Sequence, residues 1–142
     1  MIVPLIPVQE TRTTTEVGRI GENLASYYLE AHGIECSIVD RRGADIWCKT
    51  KADKMFTVEV KAASHPIKVK DGKKEYLYYN FNVRNKKADQ YLLTCLDTNF
   101  CRIFDRAEIL RRIGLKNLFM KPEEFSRDRM MGDLEKLHEY YS

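Results

Sequence analysis

Polar and apolar positions along residues 13–33, TTTEVGRIGENLASYYLEAHG, repeat with the period of a helix: at 100° per residue Val17, Ile20, Leu24 and Tyr28 form one stripe. Threonines able to cap precede it, Glu16 falls in the first turn and Gly33 supplies a stop, so a helix is predicted here. After Gly33 the period changes to two. IECSIVD, ADIWCKT and KMFTVEVKAA read as three short strands, separated by the turn-like Arg41-Arg42-Gly43 and Lys51-Ala52-Asp53. Residues 67–75, IKVKDGKKE, read as a lysine-rich loop with an Asp71-Gly72 turn, and YLYYNFNV at 76–83 as an aromatic strand. RNKKADQ at 84–90 reads as a short polar helix or turn. It leads to YLLTCLD, a fifth strand, and TNF then turns the chain into FCRIFD, a sixth paired with it as a hairpin. DRAEILRRIG is a short amphipathic helix ending at Gly114. FMKPEEFSRDRMMGDLEKLHEYYS begins near Pro122, favoured in a first helical turn, and continues with helical periodicity interrupted at Gly132.

The order is that of an α/β protein. Its 142 residues fit one domain, with a core over about 13–105 and a C-terminal helical extension over about 106–142; no repeat, low-complexity tract or boundary divides it. The longest apolar runs are far too short to span a bilayer. MIVPLIPVQE at the N-terminus is apolar but has no basic leading segment and is broken by Pro4 and Pro7, so it reads as an ordered or docking arm and not a signal peptide. Cysteines 36, 48, 95 and 101 form no C-x-x-C, and only three histidines accompany them, so zinc is not expected. Reduced, mostly buried thiols and a cytoplasmic location are expected instead. The Met130-Met131 and Tyr140-Tyr141 pairs read as packing or subunit contacts.

Within this pattern, FTVEVKAA at 56–63 breaks its own rule. Phe56, Val58, Val60 and Ala62 share one face of a strand, while Thr57, Glu59 and Lys61 share the other. Taken alone, Glu59 and Lys61 describe a surface ion pair, which is worth little. The preceding strand has the same anomaly. There Ala44, Ile46 and Cys48 share one face and Asp45 and Trp47 the other. If the two strands are antiparallel neighbours, pairing 45 with 59 centres the hairpin on residue 52, inside the turn signal. Two carboxylates so placed repel unless something positive lies with them. A hard divalent cation or the Lys61 ammonium would serve. Oxygen-only ligation suits Mg²⁺ or Mn²⁺.

A helical glutamate, then Asp, thirteen intervening residues and Glu-x-Lys, in a helix and three-strand core, resembles the PD-(D/E)xK nuclease superfamily with its restriction-endonuclease-like fold. The matching positions are Glu22 at the edge of the helical stripe, Asp45 in RRGADIW, and Glu59 with Lys61 in VEVKAAS; Ala44 stands where the family usually has proline. The resemblance covers about residues 16–105. The GRIGENLASYYLEAHGI opening looks most like Holliday junction resolvases and small phage-type nucleases. It implies a mixed β-sheet core in α-β-β-β-α-β order flanked by helices, and a Mg²⁺-dependent DNA endonuclease in which Mn²⁺ can substitute for Mg²⁺. It also implies that Asp45, Glu59 and the Val60 carbonyl bind the metal, that Lys61 acts on the attacking water, and that Glu22 assists metal or water placement.

A net charge of +3 matters less than where the cations fall. Arg41 and Arg42 precede the aspartate strand, Lys68, Lys70, Lys73 and Lys74 surround the Asp71 turn, and Arg84, Lys86 and Lys87 follow the aromatic strand. Each run alone reads as a solvated loop; together they form a candidate groove for DNA backbone. Tyr76, Tyr78 and Asn80 share one face of the aromatic strand and are expected to pack within a sheet. One site per chain cuts one strand, so a two-fold homodimer is expected, joined through the C-terminal helix or N-terminal arm. The alternative to an enzyme is a non-catalytic nucleic-acid-binding module that keeps the fold.

Overall fold

The computed structural model describes residues 13–41, 44–84, 86–114 and 116–142. The arm expected at the N-terminus lies outside them, as does Arg42. Helix α1 (Thr14–Ala31) starts where its polar signals place it. The Thr13 hydroxyl accepts the Glu16 amide at 3.2 Å while Glu16 reaches back to Thr13, a reciprocal cap. Gly33, with φ +81°, takes the left-handed conformation that ends the helix. Leu24, Ala25, Tyr28 and Leu29 are buried, and Val17 and Ile20 pack partly against the same core.

Three strands follow, β1 (Glu35–Arg41), β2 (Ala44–Lys49) and β3 (Met55–Ala63), antiparallel in sequence order. Cys36 and Cys48 face each other across the first pair, with sulfurs 3.9 Å apart and both thiols free. The turn between β2 and β3 is held by Thr50. Its amide donates to the Lys54 carbonyl, and its hydroxyl accepts the Lys54 amide and donates to the Tyr141 carbonyl. The Tyr141 ring stacks on Phe56 at 4.0 Å, so this residue of the terminal pair serves packing.

From β3 the chain passes through β4 (Ile67–Asp71) and β5 (Lys74–Asn82), then returns as β6 (Gln90–Cys95), parallel to β3, and β7 (Phe100–Asp105). The main sheet has the order β1-β2-β3-β6-β7. Where the α-β-β-β-α-β order puts a helix before this parallel strand, the crossover is a β-hairpin; Arg84 and residues 86–88 are not helical. The supposed lysine-rich loop is thus half of that hairpin, with Gly72 (φ +65°) and Lys73 as a two-residue turn.

The C-terminal extension is not wholly helical. Helix α2 (Arg106–Arg112), capped by Asp105, leads to β8 (Asn117–Met120), which pairs with β5 to complete a second sheet of order β4-β5-β8. Pro122 opens only a 3-10 turn over Pro122–Glu124. Helix α3 (Arg127–Tyr140) starts afresh with Ser126 as its cap.

Two cores result. One face of the main sheet, carrying Ile46, Val58, Val60, Leu92 and Ile103, is covered by α1 and α3. Tyr91, Leu93 and Phe104 point the other way, into a second core with Tyr79, Phe81, Leu118 and Ile109. Tyr79 donates from its hydroxyl to Asp97 at 2.9 Å, tying the second sheet to the turn between β6 and β7. Over β1, β2 and the start of β3 this second face is open, with Ser37, Trp47, Lys49 and Met55 exposed, and it closes toward Glu59. No helix among the described residues is long and apolar enough to cross a membrane.

Candidate active site

The sequence arithmetic for β2 and β3 is met. Ile46 pairs with Val58 and Trp47 with Thr57, a register that puts Asp45 at the position opposite Glu59. Ile46 with Val58 is the last pair of this ladder. Beyond it, the Val60 amide is taken up by the Asp45 carboxylate at 2.8 Å. Asp45 therefore replaces a strand where the ladder ends, and its carboxylate is held beside the Glu59-Val60-Lys61 backbone.

Glu59 is 7% exposed, unusual for a carboxylate, whose charged form burial penalises unless paired. Its partner is near: Lys61 Nζ lies 3.3 Å from Glu59 Oε1. The lysine side chain keeps 32% of its surface in solvent. The pair is thus asymmetric, a buried anion held against a cation at the edge of the open face.

Parallel pairing with β6 sets Tyr91 beside Glu59. Burial raises the Tyr91 hydroxyl above the ordinary tyrosine range, its hydrogen bond with the Ala88 backbone opposes this, and the Glu59 charge adds to the rise. Tyr91 is the site neighbour that sequence reasoning missed. It sits in an apolar strand, and only the parallel register, which no local pattern encodes, brings it to Glu59.

Glu22 arrives differently. A Cβ at Gly21 would lie 2.8 Å from the Ala62 Cβ and 3.7 Å from Val60 Cγ1, so glycine lets α1 press against β3 on the face opposite Glu59 and Lys61. Glu22, half-buried, is the next residue. Among the described residues no three His, Cys, Asp or Glu side chains form a group able to hold a metal ion. Asp45, Glu59 and Lys61 are gathered on two adjacent strands; Glu22 does not close a three-carboxylate cluster with them.

The cations divide between the two ends of β3. Lys68 and Lys70 on β4, Lys73 in the turn and Lys74 on β5 are all exposed, on the hairpin that leaves β3 just beyond Lys61. Arg41 ends β1 at this same end, paired with Ala44 of β2. Arg84, Lys86 and Lys87 are also exposed but lead into β6, whose Gln90 pairs with Val58, toward the other end of the site. Tyr76, Tyr78 and Asn80 do not pack inside: the buried face of β5 carries Tyr79 and Phe81, and Tyr76 lies on the outer one.

No family model matches this sequence, and no curated protein does. Among solved structures it is similar to a bacterial homing endonuclease, I-Ssp6803I, with a TM-score of 0.62 over 91% of this chain and 94% of that one, at 15% sequence identity. The chain therefore has a nuclease-like α/β fold.

Proposed function

We propose that this protein is a metal-dependent endodeoxyribonuclease of the PD-(D/E)xK type, with Asp45, Glu59 and Lys61 at its active site and Glu22 assisting. The observation that carries this reading is the Glu59–Lys61 pair, buried at its acidic end and set in register with Asp45, within a fold shared with an endonuclease. The donors are two carboxylates and the Val60 carbonyl, all hard oxygens. They fit Mg²⁺, with Mn²⁺ as substitute, since such ions bind through one or two carboxylates and retain water. A bound cation would polarise the scissile phosphodiester and acidify a coordinated water.

The chain's own residues supply the rest. Asp45, held by the Val60 amide, keeps its carboxylate beside the backbone of β3. Glu59 holds Lys61 by charge, leaving this partly exposed lysine to orient the attacking water and offset charge growing on the phosphate. Lysines at one end of β3 and the Arg84-to-Lys87 segment at the other give cations for DNA phosphates on both sides of the cut. A two-fold dimer would let two such sites cut both strands.

Cleavage of labelled plasmid, linear duplex and four-way junction DNA with Mg²⁺, Mn²⁺ or EDTA tests this. Cutting that requires the metal and is lost in Lys61→Ala is expected. Binding without cutting on every substrate would move the assignment to a non-catalytic nucleic-acid-binding module.

A further inference from the structure

The β4–β5 hairpin poses a problem of its own. It is a two-stranded ribbon, Ile67 paired with Tyr78 through Asp71 paired with Lys74, closed by a two-residue turn. On one face Lys68, Lys70, Glu75 and Leu77 are exposed; on the other Ile67 and Tyr76 are exposed as well. A ribbon solvated on both sides buries almost nothing, and two-stranded hairpins of this kind are marginal by themselves. This one persists because β5 continues into the body, where Tyr79 and Phe81 enter the second core and β8 adds a third strand. The protein thus anchors a strand at one end in order to hold the other end in water.

What it holds out is both cationic and apolar. Four lysines stand on the ribbon against Asp71 and Glu75. Its outer face carries Tyr76, Tyr78 and, from β8, Phe119, with ring centroids 6.2 and 6.3 Å apart in sequence along the sheet. Ile67 and Phe119 are 41% and 48% exposed. Water alone does not favour such a face, whereas the excess of lysine disfavours a purely apolar partner.

We infer that the β4–β5 ribbon enters the major groove of duplex DNA and reads sequence beside the cleavage site. Its lysines would contact phosphate and guanine edges, and its apolar face thymine methyls. The dimensions agree: paired strands about 4.8 Å apart, with side chains, fit a groove about 12 Å wide and about 8.5 Å deep, and five residues at about 3.4 Å each run about 17 Å along it. The placement agrees too. Only residues 64–66 separate β3 from β4, so the ribbon leaves the sheet at the Lys61 end of the proposed site.

This inference deepens the proposed function and rests on it for the substrate class, so the test runs without metal. Dimethyl sulfate footprinting in EDTA, on a labelled linear duplex enriched from a random-sequence pool by binding to the protein without metal, reports guanine N7 in the major groove and adenine N3 in the minor groove. Protection of guanine N7 is expected. In Lys68→Ala/Lys70→Ala, folded by its melting curve, that protection should be lost. Affinity should fall roughly tenfold or more, with the salt slope reduced by about two.

Absence of duplex binding, N7 protection unchanged in the variant, or protection confined to adenine N3 would overturn the inference. So would an Ile67→Ser/Tyr76→Ser protein that sediments as a smaller species with duplex affinity intact, which would make the face a contact between copies. The two readings fail separately. Lysine-dependent N7 protection without any Mg²⁺-dependent cutting defeats the nuclease and keeps the reader; Lys61-dependent cutting with an indifferent ribbon does the reverse.

Discussion

Lys61 and Arg102 stand at two ends of one row across the main sheet, since Lys61 pairs with Leu93 and Leu93 with Arg102. Both are cations set into apolar strands, and their surroundings use them in opposite ways. At the Arg102 end α3 closes over the sheet edge. Asp133 accepts Arg102 Nε at 2.7 Å and the Ile103 amide at 2.9 Å, the Glu124 carbonyl accepts a second guanidinium nitrogen, and the Phe104 ring lies under the charge. At the Lys61 end the carboxylate is buried but about a third of the lysine side chain, 32%, stays in solvent. A charge enclosed by donors, acceptors and ring serves the fold. A charge paired on one side and wet on the other remains able to act on something that arrives.

The contrast predicts a clean exchange of phenotypes. With the role proposed for it, Lys61→Ala should lower metal-dependent cleavage by about a thousandfold, and by leaving the buried Glu59 carboxylate without this partner it should cost only about 1 kcal/mol in urea denaturation. Asp133→Ala should do the opposite. Breaking a pair whose side chains are only 10% and 15% exposed should cost about 3 kcal/mol in urea denaturation, with the folded fraction cutting normally. Swapped results would break the comparison at its root.

Gly21→Ala sharpens it at intermediate size. A methyl 2.8 Å from the Ala62 Cβ must push α1 off β3, costing about 1–2 kcal/mol in urea denaturation in spite of alanine's better helix propensity. Because Glu22 moves with α1, cleavage should fall as well if Glu22 serves the site; unchanged cleavage would release Glu22 from that role.

The smallest effect belongs to a half-buried surface analogue, Glu108, which receives hydrogen bonds from Arg111 and Arg112. These hold its carboxyl down to about 2 from an ordinary 4.5. A lowered folded-state value means that the contribution is present above about 4.5 and disappears as the pH falls toward about 2. Urea denaturation of wild type and Glu108→Gln should therefore show a slight gap at neutral pH that closes on acidification. A large neutral-pH gap would mean that enclosure is not what makes the Arg102 site strong.

Reading these residues from sequence succeeds where the cause is local. The Thr13 cap, the Gly33 stop and the β2–β3 register all follow from a few neighbouring side chains, and so does the position of Asp45 opposite Glu59 just beyond the last ladder pair. The ribbon was hidden by composition. Ile67-Lys68-Val69-Lys70 does alternate, and Asp71-Gly72 is a hairpin signal, but lysine facing water on one side of a strand resembles a loop. The four-residue β8 vanished between two helical patterns. What distinguishes Arg102 from Lys61 cannot be seen in FCRIFD or FTVEVKAA at all; it depends on Asp133, which lies 31 residues further along the chain. Tyr91 needed a parallel partner, and the Cys36–Cys48 contact needed the β1–β2 register.

The register of β2 against β3 also makes the site a matter of parity. Substitutions between Lys49 and Met55 can leave Asp45 facing Glu59, but inserting one residue in the paired part of either strand would turn the carboxylate toward α1 and bring a core residue out in its place. Inserting two would restore the face and still misalign the pair by two residues. Drift in such a gene is therefore expected to be permissive in letters and strict in length across this hairpin, a pattern of tolerated spelling and forbidden frame that belongs to counting more than to chemistry.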